Sequence, residues 1–358
     1  MHDIGPGVAR LDVGNVYVHR AVRAIAAGTP LPDPPADTAW MERALQHGVL
    51  SIIAEHLQPT TEEGLRAVRV HRAVQHLRAM ADLRIIKEVL DEAGVEWLLF
   101  KGPVLSEVVY QRPGARISLD LDVLVRPDDI GRAVDHLLAR GATPLRGDWK
   151  AMQSIGDGEC EYLMPHGTQI DLHWDVINEP WARPGFSVSV DELFACSRTV
   201  DVGGLVVQTF GPIDTVLHVA LHACRSGGDK LRWLLDLHQC LLRCDAPVDE
   251  ILDRAGTLRL ELALRTMVGR LKRFVGDSRL DPLPVASLAQ RTWLAADDFV
   301  IRRFPPGARY EGRFSGAIMT GSLRGDAISS WGKVVAVTPS TLRGRRHQGL
   351  DADRAGVT

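Results

Sequence analysis

The chain has 358 residues, 45% of them hydrophobic and 24% charged. That balance excludes a wholly disordered protein and supplies enough apolar material for one or two cores. Lys and Arg total 42 against 45 Asp and Glu, a net charge of -3, so there is no electrostatic ground for wrapping nucleic acid.

Val13 to Ala27 has the pattern of a short helix, and the proline-rich stretch Thr29 to Pro35 is a break no helix crosses. Trp40 to His56 reads as one helix. A longer helix is expected from about Thr61 to Ala93, with Thr61 as N-cap, acidic Glu62 and Glu63 in its first turn and Gly94 as its stop. Leu65, Val68, Leu77, Met80, Leu83, Ile86 and Leu90 give it an apolar stripe. Residues 1–93 are thus expected to form an N-terminal helical region.

The periodicity changes after Gly94. Val95 to Phe100 reads as a strand, Val104 to Gln111 as a short helix with Pro103 in its first turn, and Ile117 to Val125 as an alternating strand. Asp128 or Asp129 is placed to cap a helix that reaches Ala139 and stops at Gly141. Further strands are expected at Glu159 to Met164 and Gln169 to Trp174, and a hairpin at Arg198 to Phe210 around Gly203-Gly204. This order of strand, helix, strand, helix and strands indicates an α/β or α+β core over 94–210. Helices follow at about Ile213 to Cys224, Lys230 to Arg243, Val248 to Ala255 and Leu258 to Val275, forming a helical domain over 211–275. Residues 276–358 are expected to be a loosely packed extension with a disordered basic tail near Arg343 to His347.

No apolar run reaches the roughly 18 residues of a membrane span, and Met1 to Leu11 lacks the pattern of a secretion signal. The five cysteines, Cys160, Cys196, Cys224, Cys240 and Cys244, are odd in number and widely spread. They point to free thiols in a reducing compartment, hence to the cytoplasm.

The segment Leu119-Asp120-Leu121-Asp122-Val123 carries the chemistry. Strand period two sends Asp120 and Asp122 to one face and their apolar neighbours to the other. Two carboxylates about 4 Å apart repel by about 1 kcal/mol in water and roughly 4 kcal/mol near a protein surface. Either a cation bridges them, one stays protonated, or both are solvated on an exposed edge strand. A bridging ion would be hard, Mg²⁺ or Mn²⁺. Asp171, set between Ile170 and Leu172, is a candidate third carboxylate if its strand lies beside the first; otherwise it is the partner of a surface Arg. His173 shares its strand face and is placed to support it or act as a base.

Lys101-Gly102-Pro103 ends a strand and opens a helix, a turn that can present N–H groups and an ammonium to an anion or be a plain connection. Arg116 is either a phosphate contact or a surface charge. His218 and His222, four apart, share one helix face. They either pack against their neighbours or bind zinc with Cys224 or His238.

Taken together, Lys101-Gly102, Arg116, Asp120-Leu121-Asp122, Asp171-Leu172-His173-Trp174, Leu217-His218-x-x-x-His222 and Leu231-Arg232-Trp233-Leu234-Leu235-Asp236 resemble the nucleotidyltransferase superfamily of polymerase-β-like fold. They are most similar to its bacterial "uncharacterised nucleotidyltransferase" branch, over roughly Val95 to Leu242. The resemblance implies an α+β fold: a small mixed-sheet core flanked by N-terminal helices and a C-terminal helical domain. It implies metal binding by Asp120, Asp122 and Asp171, with Asp171 also activating an acceptor hydroxyl. It places Lys101 and Gly102 on the triphosphate and His222 within reach of the nucleotide base or the acceptor, although Pro103 stands where many members have a phosphate-binding serine. The expected reaction is Mg²⁺- or Mn²⁺-dependent transfer of an NMP group from ATP or another NTP to a small molecule, peptide or protein, with release of pyrophosphate. Two other classes are a non-catalytic binding protein of the same fold, as in a toxin–antitoxin-like pair, and a zinc-stabilised module on His218 and His222.

Overall fold

Alternation along the strands gives the central sheet two faces, and they meet different parts of the chain. The computed structural model describes residues 13–303 except 58–62, 119, 147, 179, 181, 277–282 and 284–287. The expected basic tail near Arg343 to His347 and the expected cap Thr61 lie outside the described residues.

The sheet contains β1 (Trp97–Phe100), β2 (Asp120–Val125), β3 (Thr143–Arg146), β4 (Glu159–Leu163) and β5 (Gln169–His173), in the order β1-β2-β5-β4-β3. Only β2 and β5 pair in parallel; the other neighbours are antiparallel. On one face Leu99, Leu121, Val123, Ile170 and Leu172 bury against Leu83, Ile86 and Leu90 of α4 (Glu63–Glu92) and Val134 and Leu137 of α6 (Ile130–Ala139). On the other face Leu98, Phe100 and Leu124 join a second core, shared by N-terminal and C-terminal helices. These helices are α1 (Val13–Ala27), α2 (Ala39–Gln46), α3 (Leu50–His56), α9 (Pro212–Arg225), α10 (Leu231–Arg243), α11 (Val248–Thr257) and α12 (Glu261–Phe274). The fold is α+β, a mixed five-stranded sheet flanked by helices.

The β2-to-β5 connection carries α6, β3, α7 (Trp149–Ser154) and β4, which gives the chain the length a parallel crossover needs. The β4–β5 turn is fixed from outside. Asp82 of α4, fully buried, accepts the backbone N–H of His166 at 2.9 Å and of Thr168 at 3.0 Å. Because the hairpin register follows its turn, Asp82 also sets which residues of β5 face β2.

Several boundaries differ from expectation. The helix expected over Trp40 to His56 is two, α2 and α3, broken at Gly48, whose φ of 68° lies in the left-handed region. The helix after β1 already includes Gly102, and its turn Leu105–Val109 is π-wound. The strand expected from Ile117 begins only at Asp120. Asp129 precedes α6 but makes no capping bond; it pairs with Arg132 instead. The extension after 275 contains a docked helix, α13 (Leu288–Arg303), where Trp293 is buried and Asp297 binds Arg270 Nη2 at 2.6 Å. Strand β3 has no sequence signature, because all four of its residues are exposed and burial imposes no alternation on them. The hairpin forms as expected, as β6 (Arg198–Val202) and β7 (Leu205–Thr209). Among the described residues no helix is long and apolar enough to cross a membrane.

Where α2 ends, His47 is buried against His19, and its Nε2 has no hydrogen-bond partner. Burial, with smaller contributions from His19, Lys230 and Arg43, pulls its pKa down to about 3. The unfolded chain therefore takes up a proton near pH 6.5 that the native state refuses, and stability falls as pH drops through that window. Replacing His47 by Met should remove about 2 kcal/mol of the loss in unfolding free energy between pH 7.5 and pH 5. Urea denaturation of both proteins at the two pH values measures the difference.

Candidate active site

The parallel pairing of β2 and β5 sets Asp122 directly opposite Asp171, and Asp120 opposite Gln169. Paired residues of adjacent strands share a face, so Asp120, Asp122, Asp171 and His173 all lie on the side of the sheet that meets α9 and α10. On β4, Glu159 is opposite His173 and Glu161 opposite Asp171, which extends the acidic face by one strand. The alternation Glu159-Cys160-Glu161-Tyr162 repeats the pattern of the Asp120 strand; it was the legible sign of this extension and was missed.

Asp122, Asp171 and His173 each bring one ligand atom within 4.8 Å of the others. Asp120 stands two residues earlier on β2, outside this close set. Asp122 is 2% exposed. Such a charge must be compensated, and two contacts do it. Lys101 Nζ lies 2.6 Å from Asp122 Oδ1, and His173 Nε2 lies 3.4 Å from the same oxygen. His173 Nδ1 is 3.3 Å from both Glu159 Oε2 and Asn178 Oδ1, so the ring bridges two carboxylates.

Burial pushes the Asp122 carboxyl up, but Lys101 and then His173 outweigh it and hold the group well below the usual carboxylate range. Asp171 has no such cation. Burial, then repulsion from Asp122 and Asp120, pushes it up to about 7 despite the 2.7 Å hydrogen bond donated by Gln169 Nε2. Asp120 is also raised, first by burial and then by Asp122. For His173, burial lowers the pKa, and the carboxylates of Asp122 and Glu159 more than reverse it. One strand pair thus holds an ionised carboxylate beside one that readily keeps a proton.

Lys101 reaches Asp122 from a backbone with φ 55°, rare for a side-chain-bearing residue. Gly102 follows at φ 38°, where a Cβ would meet the Asp120 carbonyl and Ser118 Oγ at 3.4 Å. The Lys101-Gly102 turn is therefore pressed against the start of the acidic strand.

Arg116 is neither surface-exposed nor directed outward. Its Nε donates to both carboxylate oxygens of Asp236, at 3.0 and 2.9 Å, and its Nη1 donates to Ser118 Oγ. Tyr110 Oη donates to the same Asp236 at 2.8 Å. This buried cluster ties α10 to the segment leading into β2.

From α9, His218 packs edge-on against Phe100 and Phe210, and His222 lies against His218 and Trp233. Burial lowers His218 to about 3 and holds His222 well below the usual histidine range, so both are neutral. Among the described residues they form no metal-ligating group with Cys224 or His238. His238 Nε2 instead meets the Ala26 carbonyl.

The family model described as "Uncharacterised nucleotidyltransferase" matches residues 38–276, well over half of the sequence. The chain belongs to this nucleotidyltransferase family. Solved structures similar to this nucleotidyltransferase include the antibiotic-resistance factor ANT(2'')-Ia, at 12% identity and a TM-score of 0.35, covering 55% of this chain and 97% of the other. Another is an antigenic nucleotidyltransferase-like protein from Paracoccidioides brasiliensis, at 14% identity and a TM-score of 0.37, covering 55% of this chain and 88% of the other. No curated protein matches the chain.

Replacing Arg116 by Leu leaves Asp236 charged and buried without its main partner. The nucleotidyltransferase should lose about 3–5 kcal/mol of unfolding free energy, read from urea denaturation. A loss under about 1 kcal/mol, the level of an exposed ion pair, would show that Arg116 is not a structural tie.

Proposed function

We propose that this nucleotidyltransferase transfers an NMP group from an NTP, ATP being the first donor to test, to a hydroxyl-bearing acceptor, with release of pyrophosphate. The observation that carries the reading is the register that sets Asp171 against Asp122 across a parallel strand pair. Carboxylates held this way form a site for hard cations and transferring phosphoryl groups.

The donor set suits a divalent ion. Asp122, Asp171 and His173 are mutually within 4.8 Å, and Lys101 Nζ already occupies a cation's position on Asp122. Mg²⁺ or Mn²⁺ would be held by Asp122 and Asp171, with Asp120 or His173 completing the protein's share. When bound, the ion would supply charge neutralisation on the phosphoryl group.

The remaining work belongs to the chain. His173, fixed between Asp122 and Glu159, orients the Asp122 carboxylate. Asp171 receives the proton of the acceptor hydroxyl as the oxygen–phosphorus bond forms and the bond to the pyrophosphate oxygen breaks. Phe100, Phe210 and the neutral His218 and His222 wall the cleft and keep water from the reacting phosphate. Lys101 and Gly102 flank the phosphates at the start of β2, and His222 faces the nucleotide. The cytoplasm fits the five free thiols. A small molecule, a peptide or a protein is the acceptor; the near-neutral charge disfavours nucleic acid.

One observation favours the competing reading of a fold kept for binding alone: Lys101 already neutralises Asp122. Calorimetric titration of the protein with Mn²⁺ separates the two, because the binding-only reading expects no uptake.

Incubation with α-labelled NTPs, Mg²⁺ and cell extract should yield a labelled acceptor and pyrophosphate. Asp122→Asn should fold and lose about 100-fold or more of this activity, the scale of losing one preorganised electrostatic contact. Turnover that survives in both Asp122→Asn and Asp171→Asn would sink the reading.

A further inference from the structure

We propose that Arg232 grips the terminal phosphates of the nucleotide, and that the α2–α3 turn exists to hold it there. This rests on the nucleotidyl-transfer reading and assigns a residue and a task that the acidic strand does not reveal.

Three cations act on Asp120: Lys101, Arg116 and Arg232. Lys101 is taken by Asp122 at 2.6 Å. Arg116 is taken by Asp236 and Ser118. Arg232 is different: its Nε is buried without a hydrogen-bond partner, and among the described residues no carboxylate lies within ion-pair distance of it. Burial, then Arg116, lowers its pKa, while Asp236 and Asp120 oppose the shift, so its charge acts on Asp120 at the start of the acidic strand.

Its place is constructed. Arg232 lies one helical turn before Asp236, on the face of α10 that meets Arg116 and Tyr110. Its backbone N–H donates to the His47 carbonyl at 3.2 Å. Its stem crosses Gly48, where a Cβ would stand 3.2 Å from Arg232 Cδ and 3.3 Å from Nε. Gly48 thus serves two needs, the left-handed turn between α2 and α3 and the room for this side chain. The N-terminal helices, which carry none of the acidic residues, become part of the site by this contact.

A half-buried guanidinium with no partner is costly to keep. It becomes favourable when an anion completes it, and the planar fork of Arg suits phosphate oxygens. The turn at Lys101-Gly102 is poorly equipped for the same task. Its ammonium is engaged, and Pro103 has no N–H to donate.

The test is calorimetric binding of ATP, AMP and inorganic tripolyphosphate, each with Mg²⁺, to the full chain and its variants. Arg232→Met should lose about tenfold or more in affinity for ATP and tripolyphosphate, the worth of one charge-assisted hydrogen bond. AMP should change by less than about twofold, and the thermal midpoint should not fall, since an unpaired buried charge has been removed. Arg232→Lys, which keeps the charge without the fork, should fall between. Gly48→Asn tolerates the turn but crowds Arg232. It should weaken tripolyphosphate binding in the native chain and add nothing in Arg232→Met. Equal ATP and tripolyphosphate binding by the native protein and Arg232→Met overturns the assignment alone. No ATP binding by the native protein overturns the nucleotidyl-transfer reading with it.

Discussion

The site depends on one strand pairing. Parallel alignment of β2 with β5 places Asp122 against Asp171 on a face that other elements cover, and like charges so placed repel unless something compensates them. Here the compensation is unequal. Asp122 takes Lys101 and one side of His173, while Asp171 has a glutamine amide and becomes easy to protonate. Two residues of the same type thereby acquire different acid–base character from their surroundings, the usual way one site comes to hold both an electrostatic anchor and a proton acceptor.

The helices around the sheet divide the remaining labour. The α4 side is a conventional apolar layer, and its buried Asp82 pins the β4–β5 turn and with it the register of β5. The α9–α10 side is mixed. It contributes Asp236 to a buried cluster with Arg116 and Tyr110, and two neutral histidines to an aromatic wall. The N-terminal helices pack into this same core, and their α2–α3 turn meets the first turn of α10. The acidic strand is thus enclosed by segments more than 180 residues apart in sequence, such as His47 and Arg232.

Much of this was legible beforehand. The Asp120-x-Asp122 and Asp171-x-His173 alternations, the strand-ending Lys101-Gly102 turn and the hairpin at Gly203-Gly204 all lie where period and turn chemistry put them. Other features were hidden for physical reasons. Arg116 reads as a free cation because its partner Asp236 is 120 residues away. A single helix is the natural reading of residues 40–56, because one glycine in a helical pattern is often tolerated and only the packing of α1 and α10 makes the break at Gly48 favourable. The close donor set pairs His173, not Asp120, with Asp122 and Asp171, because the parallel register advances β5 toward the C-terminal end of β2.

By itself the sequence determined which side chains share a face. Strand and helix periods are local properties of the backbone, so the two acidic strand faces and the shared face of His218 and His222 follow from spacing. Only the tertiary structure decided which faces meet. That choice rests on burying two apolar layers at once, and it makes Lys101 the partner of Asp122 and Asp236 the partner of Arg116, while among the described residues it leaves Arg232 without a carboxylate. Pairing between distant charges has no period to announce it, because it is set by how the cores close.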